Sequence, residues 1–462
     1  MARTSMDTTN FAEVAERAVA MALQAGAGAC DVLIEEGREF RADVLDGNPE
    51  NIKQARTRGL GLRVLVEQRV AVVFTSDLRD DSLRDLSARA VQLARQSSPD
   101  EFAGLPDGAL AATNAVDPLQ MHDEALLRLS VDERIAMALE MERVARGYDP
   151  RIVRLDGCTV VTREGSATLA SSNGGVLSYR GTGISLYCNP LADDEGGRQQ
   201  SGSYGASARS LAKVETPEEV AREGARRAVE RIGARSVPTQ KVPVILHPDI
   251  ASSWIANLHD AFSGEDVYKE TSYLTGKLAE TIATPGLTLV DDGLLPGGTA
   301  TAPFDGEGQP TRKNVLLERG VCTMYLYDSY WARKAKTRST GSAVRGFTGV
   351  PGIGHRNLYL ENGDTSPEAI RKSVDKGFYM VDQGAFGFNA TTGDYSYQAA
   401  GFWIEKGEIA FPVQEITVAS NTLQMLKNVV KIGNDLKFNG SVNAPTLLIA
   451  EMTLSGSVDG KS

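Results

Sequence analysis

Four histidines, at positions 122, 247, 259 and 355, are with the four cysteines the scarcest chemistry-bearing residues of this 462-residue chain, and they are followed by Asp123, Pro248, Asp260 and Arg356, so no His-Glu pair exists. Hydrolytic zinc needs three protein ligands, an open position for water and a nearby carboxylate to take the proton. His247 and His259, with Asp249 and Asp260, allow an alternative metal site to be drawn. The absence of a third clustered donor favours another reading: His247-Pro248-Asp249 ends a strand and caps a helix, while His259-Asp260 lies on that helix's polar side. Cys30, Cys158, Cys188 and Cys322 are widely spaced without a C-x-x-C pair, so they are expected to be reduced, mostly buried thiols. Cys322 lies in a strand-like run whose nearest base, Arg319, is across a turn, which gives it no evident activation. Asp305-Gly306-Glu307-Gly308 lacks the alternating oxygens of a calcium loop and reads as a turn. Asp291-Asp292 and Asp375 read as solvated charges. Gly384 to Phe388 is glycine-rich without a following helix to present its N-terminus, a poor phosphate cradle. Ser252-Ser253 and Ser339-Thr340 show no nucleophile elbow.

Composition narrows the function classes. Forty-nine Lys and Arg against sixty Asp and Glu give a formal charge of -11, with no long cationic run. Displacing counterions from nucleic acid takes clustered cations, so direct DNA or RNA contact is disfavoured, as is an anionic membrane surface. The opening MARTSMDTTNF runs into an amphipathic stretch without an apolar h-region, and the expectation is a cytoplasmic protein.

Periodicity divides the chain into three units, an α+β architecture of N-terminal and middle α/β-type domains followed by a β-rich C-terminal domain with interrupting helices. Residues 10–97 form the first unit. A helix with an Asn10-x-x-Glu13 start is followed by strands 30–36, 60–67 and 69–75 and a second helix carrying Leu83, Leu86, Ala90 and Leu93 on one face. Pro, Gly and Asp between 98 and 121 mark a linker. In the unit 122–235, a helix over 131–148 precedes strands near 152–162, 166–171 and 176–187, a loop over 193–207, and a helix opened by Thr216-Pro217-Glu218-Glu219. The third unit, 238–460, alternates short β runs with a helix over 248–262 and another from Ser366-Pro367.

Four phrases in this third unit, VYKETSYLTGKLAE, PFDGEGQPTRKNVLLERG, GFNATTGDYSYQAAGFWIEKGEIAFPVQEITVASN and IGNDLKFNGSVNAPTLLI, come in the order found in the PmbA/TldE proteins. The chain resembles the PmbA/TldE branch of the TldD/TldE metallopeptidase family, older name modulator of DNA gyrase, over roughly residues 12 to 456, more diffusely in its first half. In the catalytic TldD branch, a helix bears H-E-x-x-x-H, whose histidines bind zinc while the Glu acts as base, and a downstream Cys completes the site. Laid on from Thr271-Ser272, the two His positions fall on Ile255 and Asp260 and the Glu position on Ala256. Lys437 to Pro445 contains no Cys, His, Asp or Glu in place of the Cys-bearing loop.

The resemblance therefore implies a non-catalytic, substrate-binding or structural subunit without a cofactor of its own, pairing with a TldD-like zinc-bearing subunit to cleave unfolded or leader-bearing peptides. A homodimeric peptide-binding module and an independent hydrolase with an unrecognised site are the alternatives; a role in DNA topology is disfavoured by the acidic composition. Phe386, Phe388, Tyr395, Tyr397, Phe402 and Trp403 fall in one short β-rich interval. They are expected as core residues or as anchors of an association surface and its adjoining peptide groove. Strand alternation places Phe402 and Trp403 on opposite faces.

Overall fold

The computed structural model describes residues 10–110, 117–384 and 387–457. It has the expected α+β character. Helix α1 (Phe11–Gln24) leads into two long strands, β1 (Ala29–Leu45) and β2 (Asn48–Val66), then β3 (Arg69–Thr75) and α2 (Asp80–Gln96). After α3 (Glu124–Arg128) and α4 (Val131–Tyr148) come β4 (Ile152–Ser171), β5 (Val176–Asp193), β6 (Gln199–Ser201), β7 (Tyr204–Ala208) and α5 (Pro217–Glu230). The two parts on either side of the linker share one seven-stranded sheet, ordered β3-β2-β1-β4-β5-β6 with β7 also on β5. β1 and β4 pair antiparallel from Asp31 opposite Ser171 to Val44 opposite Cys158. The strands run well beyond the short apolar cores visible in the sequence, because their middles carry Glu, Arg, Gly and Ser. The expected loop over 193–207 also holds β6 and β7.

Even-numbered residues of β1 face the helices: Cys30, Val32 and Ile34 pack with α1 and α2, and Val44 packs with α4 and α5. Odd-numbered residues point to the opposite face, where Leu33, with Leu169 of β4 and Leu177 of β5, meets Phe304 of the C-terminal domain.

That domain begins with β8 (Gln240–Leu246), α6 (Pro248–Ala256), α7 (Leu258–Ala261) and α8 (Gly264–Tyr268). It continues through β9 (Leu289–Asp292), β10 (Lys313–Glu318), β11 (Val321–Cys322), α9 (Ser329–Lys334), β12 (Ala343–Val344), β13 (Gly352–Ile353) and β14 (Asn357–Leu360). Then follow α10 (Pro367–Lys372), β15 (Lys376–Gln383), β16 (Asp394–Glu405), β17 (Glu408–Asn421), α11 (Thr422–Asn428), β18 (Val429–Ile432), β19 (Val442–Asn443) and β20 (Leu447–Ser455). One sheet runs β17-β16-β15-β8-β20-β18, and β17 also pairs with β20, closing a ring of strands. Lys406 and Gly407, with φ of 51° and 76°, turn β16 into β17, a backbone that suits a tight hairpin. A second sheet is ordered β11-β10-β9-β14-β19. The helix expected over 248–262 is interrupted at Asn257, and Trp254, Ile255 and Leu258 anchor it in the largest core. Among the described residues, no helix is long and apolar enough to cross a membrane.

Candidate functional site

The helix pair α6 and α7 carries the residues at the family's metal positions. Ile255 is fully buried in the C-terminal core and Ala256 is exposed; neither side chain has a donor atom. Asp260 does, and its Oδ1 lies 3.0 Å from Nδ1 of His259. This contact holds the Asp260 carboxyl below its usual range. His247 is elsewhere engaged. Its Nδ1 accepts the Asp249 amide at 3.2 Å, capping α6, and its ring neighbours Tyr379. His259 instead meets His355, ring centroids 4.7 Å apart. Burial, then the neighbouring His259, pushes His355 down to about 4.

Behind this pair lies Asp291. Expected as a solvated charge, it is buried in β9, its pKa pushed up to about 6 by burial against the amide of Arg356, which donates to Oδ1 at 2.6 Å. Four buried polar atoms in this region, His259 Nε2, Tyr273 Oη, Asn314 Oδ1 and Arg356 Nε, have no hydrogen-bond partner. The cluster offers donors and acceptors. Among the described residues, no group of three or more His, Cys, Asp or Glu side chains could hold a metal ion. His355, Arg356 and Asp291 reach the site by tertiary packing, and nothing in sequence spacing ties them to His259.

The other chemistry-bearing residues are structural in setting. Asp305 accepts the amides of Glu307 and Gln309 at 2.9 Å each, making a turn, while Oδ2 accepts from Ala343 at 3.1 Å. All four cysteines are buried and free. Burial raises Cys322 to about 11.

The aromatic interval lies mostly inside the chain. Phe386 falls outside the described residues. Phe388 is partly buried against the C-terminal core, and Tyr395, 1% exposed, donates to Gln383 Oε1 at 3.1 Å. Tyr397 lies tilted beside it, 4.7 Å between centroids, and receives a hydrogen bond from Asn257 Nδ2 at 3.5 Å. Tyr397 thus meets the C-terminal cap of α6. Trp403 is buried against Phe411 and Phe402 is covered beside Tyr379. Both faces of β16 are occupied within the chain, so Tyr395, Tyr397, Phe402 and Trp403 are not available as exposed anchors.

Arg356 connects the cluster to a cleft of about 890 Å³ between the odd-numbered face of the seven-stranded sheet and the C-terminal domain. β1, β4, β5 and β7 form its floor.

Three PmbA/TldA metallopeptidase models match the chain: domain 1 over residues 30–94, the central domain over 124–232 and the C-terminal domain over 239–456. The metalloprotease PmbA of Escherichia coli O157:H7 is 31% identical over 447 residues, covering 96% of each chain. A solved structure from Bacteroides thetaiotaomicron, a candidate modulator of DNA gyrase, superposes with a TM-score of 0.90 at 26% identity over 98% of this chain and 100% of that one. TldE from Thermococcus kodakarensis shares the fold, with a TM-score of 0.88 at 22% identity over 96% of this chain and 100% of its own.

Proposed function

This chain belongs to the PmbA/TldD metallopeptidase family, and from that premise we propose that it is a non-catalytic subunit that binds peptide for a zinc-bearing, TldD-like partner. The observation that carries this reading is the burial of Ile255 in the core beside a donorless Ala256, where a zinc-bearing relative would place its first ligand and its base. Asp260 alone keeps a donor, and His259 occupies it. The motif positions do not fit zinc, and no catalytic step is assigned to this chain. TldD homologues among the relatives, one 23% identical over 430 residues, support a pairing of related subunits.

Its contribution is recognition. An extended peptide can be held by main-chain hydrogen bonds and small-residue floors without strict sequence demand, as unfolded or leader-bearing substrates require. The test assays hydrolysis of unfolded peptides by this chain alone, by its zinc-bearing sister alone and by both together. Activity should need the sister and rise on mixing. Chelator-resistant cleavage by this chain alone would overturn the reading, as would about one zinc per chain that is lost in His259→Ala.

A further inference from the structure

Small residues pave the interdomain cleft: Gly37 on β1, Gly165 on β4, Gly181 and Ser185 on β5, and Ser207 on β7. A Cβ at Gly181 would stand 2.5 Å from Arg209 Nη1, so a larger residue there would displace the guanidinium. Arg209 donates to the carbonyls of Gly298 and Thr301, each at 3.1 Å, and of Thr182 at 3.4 Å. Arg356 donates from Nη2 to the Ala343 carbonyl at 3.3 Å. Among the described residues, neither guanidinium enters a salt bridge. Arg356 Nε and Thr299 Oγ1, from two residues that line the cleft, are buried without a partner.

Arg209 is depressed below the usual arginine range by burial and, more weakly, by the charge of Arg356, with Tyr179 acting in the opposite sense. Two arginines therefore share this end of the cleft without a salt bridge between either guanidinium and a carboxylate, Asp291 meeting Arg356 through its backbone amide. The carboxylates of the cleft floor are engaged elsewhere. Glu39 pairs with Arg163 at 2.9 Å and Lys53 at 3.9 Å, and Glu35 accepts the Phe347 amide at 2.9 Å. The two arginines stand at the β7 side, three strand spacings or about 14 Å from β1.

We propose that this end of the cleft binds the carboxylate of an extended peptide between Arg356 Nε, the Arg209 guanidinium and the Thr299 hydroxyl, with the main chain crossing the Gly and Ser floor toward β1. A guanidinium has five N–H donors, and Arg209 spends three on carbonyls, which leaves donors for an oxyanion. The chemistry selects one negative charge rather than a run of them, because Glu35 and Glu39 line the path beyond and would repel a second. The proposal deepens the peptide-binding reading and rests on it for the identity of the chain bearing the carboxylate.

The test uses the full chain and fluorescent neutral hexapeptides in three forms: a free C-terminal acid, a C-terminal amide, and an amide with one internal Glu. Anisotropy should show the acid binding roughly 10–100-fold more tightly than the plain amide, the range of a lost charge-assisted contact. Tight binding of the Glu-bearing amide would assign the carboxylate to a side chain, and weak binding would assign it to the terminus; either supports the site. R356Q, and independently T299V, should shrink the preference while the melting temperature stays near that of the wild type. Equal affinity for acid and amide, or a preference unchanged in both variants, overturns the carboxylate site alone. No binding of any peptide, or binding of inorganic phosphate only, overturns it together with the peptide reading.

Discussion

Ile255 is a core residue at a position where a zinc-bearing relative would present an imidazole to solvent and metal. Its side chain is fully covered, with Trp254 and Leu258 in the same cluster. Ile255→His would put polar nitrogens into that cluster and is expected to cost roughly 2–4 kcal/mol in urea unfolding; a loss under about 0.5 kcal/mol would show that the position is not core. Asp305 makes a pH prediction. Burial, then the nearby Glu307, pushes its carboxyl up from the ordinary aspartate value to about 7, against the amides it accepts. Its folded pKa lies above its unfolded one, so the stability this group contributes is fully present below about pH 4 and is lost as pH rises through 7. Asp305→Asn removes that titration. The stability of wild type minus that of the variant should therefore fall between pH 5 and pH 8 and level off above. A difference that is flat across that window, or that rises, would refute the buried-acid account.

Helices α4 and α5 show why some elements are legible in a sequence and others are not. Each is opened by a reciprocal capping box, Ser130 with Glu133 and Thr216 with Glu219, written into four adjacent letters and independent of the rest of the fold. Ser130→Ala and Thr216→Ala should each lower stability by about 1 kcal/mol in denaturant melts, and a null effect in both would mean the helices are held by packing alone. Asn10 has the same spacing to Glu13 yet makes no cap; its side-chain amide donates to the Glu13 carboxylate instead. Local patterns thus placed most helices and the β16 to β17 hairpin. They could not show that β16 is covered on both faces, because Phe402 and Trp403 alternate in either case and the covering groups come from Tyr379 and Phe411. They also could not extend β1 and β2 through stretches of Glu, Arg, Gly and Ser, whose place in the sheet depends on partners far along the chain. The contact of His259 with His355 is invisible for the same reason.

At the scale of the whole molecule, the sheet and the C-terminal domain are joined by charge and by close backbone approach. Asp31 on β1 accepts from Arg63 of β2 at 2.5 Å and from Arg345 of the C-terminal domain at 2.9 Å, and Arg63 reaches Glu307 at 3.3 Å, with all four side chains buried. Beside this network, the chain at Phe347 lies flat on β2. A Cβ at Gly61 would stand 2.0 Å from the Phe347 carbonyl oxygen, and one at Gly59 would stand 2.2 Å from its ring. The ring at Gly59 can swing aside. The carbonyl at Gly61 is backbone, so Gly61→Ala can be accommodated only by moving the 347 segment off the sheet, which separates Arg345 from Asp31 and strains the Glu35 contact with the Phe347 amide. An uncoupled interface leaves two cores that unfold on their own, and a single cooperative transition then becomes two. Gly61→Ala should therefore split or broaden the calorimetric unfolding of the full chain, while Gly59→Ala shifts it by much less. A single transition at the wild-type temperature in Gly61→Ala would show that the 347 segment is not what locks the two parts together.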